Sequence, residues 1–337
     1  MKRIVVVNVN WIGDVLFSTP FFRCLKKNIP DSYVASIVTP SCMEILTLNH
    51  NIDKIISFDE RKTHKTIASK INFIKFLKSE RFDTAFLLHR SFTKTFVIRL
   101  AGISNTIGYS YKKRNFLLKK IIPMPQYDMH RADFYLNILG HLGFVLDDQG
   151  CDFFISKDDE IYIDNILTEK IDKNKKIVAV NMGGNWLPKR WPLENFAGLI
   201  DKIIKELDVQ VVITGSAKDA VLAEKIAGGE NTRIMSLCGR TNLKQLAALF
   251  KKTDLVISSD TGPLHIAASV GAKVLGMYGP TSPDITGPYR IKNAVIIQNK
   301  DLKCKIPCYD ISCQSNDCMK EIVVSEVFAK SKDILGL

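Results

Sequence analysis

Short apolar runs rich in β-branched residues recur along the chain, each closed by polar or glycine residues. They predict strands over 4–9, 33–38, 54–58, 84–88, 177–181, 209–214, 255–258 and 274–278. The runs are apolar at consecutive rather than alternate positions, which predicts strands buried on both faces, as in parallel sheets. Between them lie stretches of helical periodicity over 16–28, 65–79, 193–207, 217–227 and 243–251. Strand and helix alternate in both halves, so the expected class is α/β with doubly wound parallel sheets.

At 337 residues the chain exceeds what one hydrophobic core usually organises. A polar helical stretch over 161–169 runs into the charged segment 170–176, and a new strand follows. The expected division is a first domain over 1–170, a second over 171–322, and a closing helix over 323–337 that packs back toward the first. Each half opens with a strand followed by a glycine-containing turn, so the halves read as two copies of one architecture facing across a cleft. Such a cleft is a natural ligand position.

Composition narrows the class. With 46% hydrophobic residues the chain reads as globular, and no apolar run approaches the roughly 20 residues of a membrane-spanning helix. The polar residues Asn8, Asn10 and Asp14 break what would be the apolar region of a secretory signal, so a cytoplasmic protein is expected. The net charge of +12 is uneven: residues 1–157 hold 23 Lys/Arg against 13 Asp/Glu, and residues 158–337 hold 24 against 22. A basic first half attracts polyanions, whether nucleic acid, anionic membrane or phosphorylated glycolipid.

Five segments carry candidate chemistry. Asn10-Trp11-Ile12-Gly13-Asp14 follows the first strand, where Asp14 reads either as a helix cap or as a general base for an attacking hydroxyl. Gly183-Gly184-Asn185-Trp186-Leu187-Pro188-Lys189-Arg190-Trp191-Pro192 offers backbone amides and two cations to an anion, or is simply a turn. Asp260-Thr261-Gly262-Pro263-Leu264-His265 ends a strand and opens a helix. Its amides suit a diphosphate, Thr261 adds a donor, and Asp260 can accept from sugar hydroxyls; a capped helix with a core-packed His265 is the alternative. Asp219, in Thr214-Gly215-Ser216-Ala217-Lys218-Asp219, reads as a ribose contact or a helix start. Cys304, Cys308, Cys313 and Cys318 form a cluster that suits a structural metal, reduced thiols or labile disulfides. Neither Gly-x-Gly-x-x-Gly nor a Walker A pattern is present, which argues against dinucleotide enzymes and P-loop NTPases.

Together these segments resemble glycosyltransferase family 9, the ADP-heptose:lipopolysaccharide heptosyltransferases, with heptosyltransferase II as the nearest type. Further pieces of the likeness are Arg81-Phe82-Asp83, Ser91-Phe92-Thr93-Lys94, Ala101-Gly102-Ile103, Ile107-Gly108-Tyr109 and Tyr278-Gly279-Pro280-Thr281-Ser282-Pro283. Where the family often reads His-Pro-Gly-Ala, this chain has Asn181-Met182-Gly183-Gly184. The resemblance implies a GT-B fold of two Rossmann-like domains, an ADP-heptose donor held by the second domain, and a lipopolysaccharide inner-core acceptor held by the first. It implies inverting transfer with no cofactor and no catalytic metal.

By matching position the resemblance makes Asp14 the base and Lys189 the cation on the departing diphosphate. It makes Gly184, Asn185, Arg190, Asp219, Asp260, Thr261, Gly262, Pro263, Leu264 and His265 the donor contacts. Gly13, Lys94, Lys112, Lys113 and Arg114 are the expected acceptor contacts. Arg61, Lys62, Lys65, Lys119 and Lys120 join Lys94 and Lys112 to Arg114 as candidates for a surface toward the anionic inner membrane, on its cytoplasmic side. A GT-B enzyme with another donor, such as a UDP-sugar, and a non-catalytic polyanion-binding protein are the alternatives. No nucleic-acid-binding motif supports the latter.

Overall fold

The computed structural model describes residues 1–337 except 228–231, 300, 303 and 311 and the side chain of Lys112. It holds two six-stranded sheets, each wholly parallel. The first is built from β1 (Arg3–Val7), β2 (Tyr33–Val38), β3 (Lys54–Ser57), β4 (Thr84–Leu87), β5 (Asn105–Tyr109) and β6 (Lys120–Ile122). The second is built from β7 (Lys176–Asn181), β8 (Val209–Thr214), β9 (Ile234–Ser236), β10 (Leu255–Ser259), β11 (Val274–Tyr278) and β12 (Ala294–Gln298).

The strand order is β3-β2-β1-β4-β5-β6 in the first sheet and β12-β11-β10-β7-β8-β9 in the second. Counted from its own first strand, each sheet has the order 3-2-1-4-5-6 of a dinucleotide-type Rossmann fold. The α/β class and the two Rossmann-like halves expected from the sequence are therefore present.

In such a sheet the chain winds outward in opposite directions from the first strand, and the loops leaving the first and fourth strands part company there. That switch point lies between β1 and β4 in one sheet and between β7 and β10 in the other. The central strands are enclosed: Ile4, Val5 and Val6 in β1, and all six residues of β8, are buried. Complete enclosure is what the consecutive apolar positions required.

The chain divides into two compact units at Phe153/Phe154 rather than at 170. Helix Lys157–Lys170 belongs with the second unit because it is tied there. Tyr162 donates to Arg240 O at 3.0 Å, and ion pairs join Glu160 to Lys251 at 2.9 Å and Asp164 to Lys252 at 2.7 Å. The stretch before it is fastened to the first unit by Arg23, which pairs with Asp147 at 2.9 Å and Asp152 at 2.5 Å. The closing helix, Val324–Leu335, is part of the second unit, with Val327, Phe328 and Leu335 in that unit's core.

Among the described residues no helix is long and apolar enough to cross a membrane.

Candidate active site

In the first unit the loop after β1 leads into helix Ile12–Phe17, whose cap residue is Trp11, without a side-chain cap bond. Asp14 stands in the first turn and is not the cap. A carboxylate there interacts favourably with the positive end of the helix. Two residues of helix Arg131–Gly140 stand beside it: Arg131 Nε lies 3.4 Å from Asp14 Oδ1, and the phenol of the buried Tyr135 interacts electrostatically with the carboxylate. Burial, then the charge of Asp14, push the Tyr135 phenol well up, so Tyr135 remains a donor. Asp14 itself is about a third exposed, with a side-chain accessibility of 29%.

Beside it, the loops after β1 and β4 meet over the switch point. Lys94 Nζ donates to Asn10 Oδ1 at 2.8 Å, Asn10 Nδ2 lies 3.1 Å from His89 Nε2, and His89 Nδ1 accepts from Ser91 N–H at 2.9 Å. Lys94 occupies the first turn of helix Phe92–Leu100 and is 4% exposed. Burial lowers its amine to about 8. Burial, then the charges of Lys94 and Arg114, lower His89 to about 4. Arg114, 1% exposed, donates to His89 O at 2.5 Å and Tyr109 O at 2.9 Å.

This corrects two expectations. Lys94 and Arg114 are buried and so are not members of an outer basic face, whereas Lys113, Lys119 and Lys120 are exposed. The side chain of Lys112 lies outside the described residues. Gly13 lies within helix Ile12–Phe17, one residue before Asp14.

The second unit repeats the placement with different chemistry. Helix Gly262–Ser269 begins at the end of β10, with Thr261 as cap and Pro263 in its first turn. A proline is at home there because its missing N–H would lack an intrahelical partner in any case. Asp260 is 3% exposed and fully engaged. Its Oδ2 takes Lys189 Nζ at 2.6 Å, the Thr281 hydroxyl at 2.6 Å and the Thr286 hydroxyl at 3.3 Å; its Oδ1 lies 3.0 Å from His265 Nε2. Burial alone would raise this carboxyl, but the bond with His265 and the charge of Lys189 hold it far below the usual carboxylate range.

Asp260 is thus an anchor for Lys189 and His265 rather than an open acceptor for sugar hydroxyls. His265 is buried, as the structural alternative for this segment required, yet it is bonded to the anchor. Leu264 is a core residue at 0% exposure, so its side chain is unavailable to a ligand. Thr261 and Gly262 are half-buried at the helix start.

The glycine loop folds against this helix start. Gly184 is tightly placed, since a Cβ would stand 3.2 Å from Thr261 Cγ2 and that methyl would have to give way. Its carbonyl accepts from Arg190 Nε at 2.6 Å. Lys189 Nζ lies over the Trp186 ring at 5.3 Å, and Asn185 is exposed. Asp219 closes a capping box, with Oδ2 accepting from Ser216 N–H at 2.8 Å and Ser216 Oγ at 2.6 Å, and Oδ1 lies 3.7 Å from Arg190 Nη1. The helix-start reading of Asp219 is what its own bonds show.

The cysteine segment is a brace. Cys308 N–H donates to Pro280 O at 2.7 Å, and Cys318 and Met319 lie so close under Gly279 that a Cβ there would meet Met319 Sδ at 2.5 Å. All eight cysteines are free. Among the described residues no group of three or more His, Cys, Asp or Glu, the cysteines at 304, 308, 313 and 318 included, is placed to hold a metal ion.

Sequence reasoning missed Thr281, Thr286, Arg131, Tyr135 and His89. Only Thr281 lay within a quoted segment, and nothing local ties it to Asp260.

The profile of glycosyltransferase family 9 (heptosyltransferase) matches residues 71–318. The chain belongs to glycosyltransferase family 9. This family-9 chain is 25% identical over 308 residues to lipopolysaccharide heptosyltransferase 2 of Escherichia coli, covering 87% of each. Its fold is similar to that of a family 9 glycosyl transferase from Veillonella parvula, with TM-score 0.88 at 24% identity over 99% of this chain and 97% of that one. It is similar also to E. coli ADP-heptose lps heptosyltransferase II, with TM-score 0.81 at 23% identity over 99% and 98%. The fold is GT-B, and this family-9 chain is a glycosyltransferase enzyme.

Proposed function

We propose that the protein transfers heptose from ADP-heptose to the inner core of lipopolysaccharide, with heptosyl-Kdo-lipid A as acceptor, as a heptosyltransferase of type II. The observation that carries the donor side is the Lys189–Asp260 pair beside the start of helix Gly262–Ser269. A cation fixed by a buried carboxylate, next to amides at a helix N-terminus, is an arrangement suited to a diphosphate. The sugar itself is supported by family membership and by the names of the relatives.

In this reading Asp14 takes the proton of the acceptor hydroxyl as its oxygen bonds to the anomeric carbon from the face opposite ADP. The bond to the diphosphate breaks, and Lys189 balances the charge that develops there. One displacement inverts the anomeric centre, and no step calls for a metal. Lys113, which is exposed, and the charge of Lys94 behind it meet the anionic groups of the acceptor, while the buried Arg114 fixes the loop through the His89 and Tyr109 carbonyls. The enzyme works on the cytoplasmic side as a peripheral protein, since its acceptor sits in a lipid layer.

The test is release of ADP from ADP-heptose by purified protein in the presence of chelator, dependent on added heptosyl-Kdo-lipid A, with the product's anomeric configuration read by NMR. Turnover with a UDP-sugar in preference to ADP-heptose would overturn the donor assignment.

A further inference from the structure

The outer face of helix Phe92–Leu100 carries a stripe that the transfer reaction does not use. Lys94, Thr95, Val97 and Ile98 point inward and are buried, while Phe92, Phe96 and Leu100, spaced four residues apart, are 46%, 44% and 52% exposed. Phe116, from the turn Lys112–Leu117, is 76% exposed and joins them. The Phe92 ring lies 6.0 Å from that of Phe96, stacked at 11°, and 6.2 Å from that of Phe116. Three phenyl rings left in contact with one another and with water form a costly surface for a soluble protein.

The charge around it has one sign. From Thr84 to Tyr127 the chain holds eight Lys/Arg and no Asp or Glu. Lys94 and Arg114 are turned inward, but Arg90, Arg99, Lys113, Lys119 and Lys120 are exposed.

We infer that this face, with Phe92, Phe96, Leu100 and Phe116 at its centre and exposed Arg and Lys at its rim, docks on an anionic lipid bilayer. It specifies how the peripheral attachment in the proposed function is made. An apolar stripe bordered by cations is the chemistry of an interfacial helix, which sinks its rings among acyl chains and keeps its cations at the headgroups. A second copy of the chain fits less well, because a two-fold interface would bring the basic rim against itself. A nucleic acid fits the charge but leaves the apolar stripe of Phe92, Phe96 and Leu100 without an apolar partner.

The experiment is sedimentation of the full chain with vesicles of phosphatidylcholine alone and of phosphatidylcholine with phosphatidylglycerol, at low and high salt. Binding is expected to the anionic vesicles only, reduced by salt. The double variant Phe96→Ser/Phe116→Ser and the variant Lys119→Glu/Lys120→Glu are each expected to lower partition at least tenfold. Circular dichroism melting checks that they fold, and transfer to a water-soluble acceptor without acyl chains should stay at the native rate.

Equal binding of variants and native protein overturns the assignment of this face, and so does an absence of vesicle binding. A concentration-dependent dimer abolished by Phe96→Ser/Phe116→Ser also overturns it, assigning the face to a second copy, as would stronger binding to an oligonucleotide than to vesicles. None of these results touches the donor assignment, which stands or falls on ADP release.

Discussion

Lys189 Nζ lies 2.6 Å from Asp260 Oδ2, and the two residues come from the loops that part at the switch point of the second sheet. The pairing spans 71 residues of sequence. It fixes a flexible side chain beside a helix start at a carboxylate that is itself held by Thr281, Thr286 and His265.

Removing the cation and removing its anchor should therefore differ. Lys189→Ala leaves Asp260 with Thr281, Thr286 and His265 but without a cation that keeps it ionised, so it should cost some stability, less than loss of the anchor, while kcat falls by about 100-fold or more, the scale for losing a charge-stabilising group. Asp260→Asn leaves Lys189 and His265 without their carboxylate and should cost about 3–5 kcal/mol of stability. Thermal melts beside steady-state rates would separate the two.

Acid should act through the same carboxyl. The folded-state value of Asp260 lies below its unfolded one, so its contribution to stability is present above the unfolded value, near pH 3.9, and is lost as pH falls through the folded value. Asp260→Asn removes that dependence. Urea midpoints from pH 6 down to pH 2 should fall less steeply for the variant than for the native chain.

In the first unit the hydrogen-bonding parity of Lys94, Asn10 and His89 has a consequence. With Lys94 charged, it donates to Asn10 Oδ1, the amide donates to His89 Nε2, and the ring proton is driven onto Nδ1, where Ser91 N–H also points. With Lys94 neutral and the amide turned over, the amide N–H would meet the amine lone pair, and His89 Nε2–H would meet Asn10 Oδ1. Burial and the positive end of the helix favour the same state. Lys94 at about 8 should therefore bind acceptor anions well below pH 8 and poorly above it, so the acceptor KM should rise above pH 8. Lys94→Arg should flatten that limb, since arginine keeps its charge.

Stability gives an independent reading of Lys94. Between about pH 8 and the free-lysine value near 10.4 the unfolded chain holds a proton that the native chain has released, so stability from this group rises with pH. Lys94→Met should abolish that rise and stabilise the protein near pH 7 by roughly 1–3 kcal/mol. Chemical denaturation at pH 7 and pH 10 would measure both.

The central strands were legible because enclosure on both faces writes an unbroken apolar run into the sequence. The missed strands are short or lie toward the sheet edges. β6 and β9 have three residues each, β12 is half-buried, and β5 reads Asn-Thr-Ile-Gly-Tyr. Its Gly108 is imposed from outside the strand, since a Cβ there would stand 3.1 Å from Leu87 and 3.2 Å from Arg114. In the site, the strand-end positions of Asp14, Lys189 and Asp260 were legible from local pattern. Their partners were not: Thr281 and Thr286 reach Asp260 from 21 and 26 residues away, a proximity created by the packing of β10 against β11.

Asp14 is held by two residues more than a hundred positions further on, and their separate contributions can be measured. Tyr135 places its phenol beside the carboxylate from an enclosed position, and Arg131 offers charge at 3.4 Å, longer than a hydrogen bond. A base must keep one oxygen directed at the acceptor hydroxyl, so the tyrosine orients the carboxylate while the arginine sets its charge environment. Asp14→Asn should abolish transfer with little change in melting temperature. Tyr135→Phe keeps the ring and its packing but removes the hydroxyl beside the carboxylate, so kcat should drop roughly tenfold or more at nearly constant KM, the signature of lost positioning. Arg131→Gln removes a charge 3.4 Å from the carboxylate and should lower kcat less than Asp14→Asn does. If Tyr135→Phe raised KM and left kcat unchanged, the hydroxyl would serve substrate binding, and the orienting role would pass to another group.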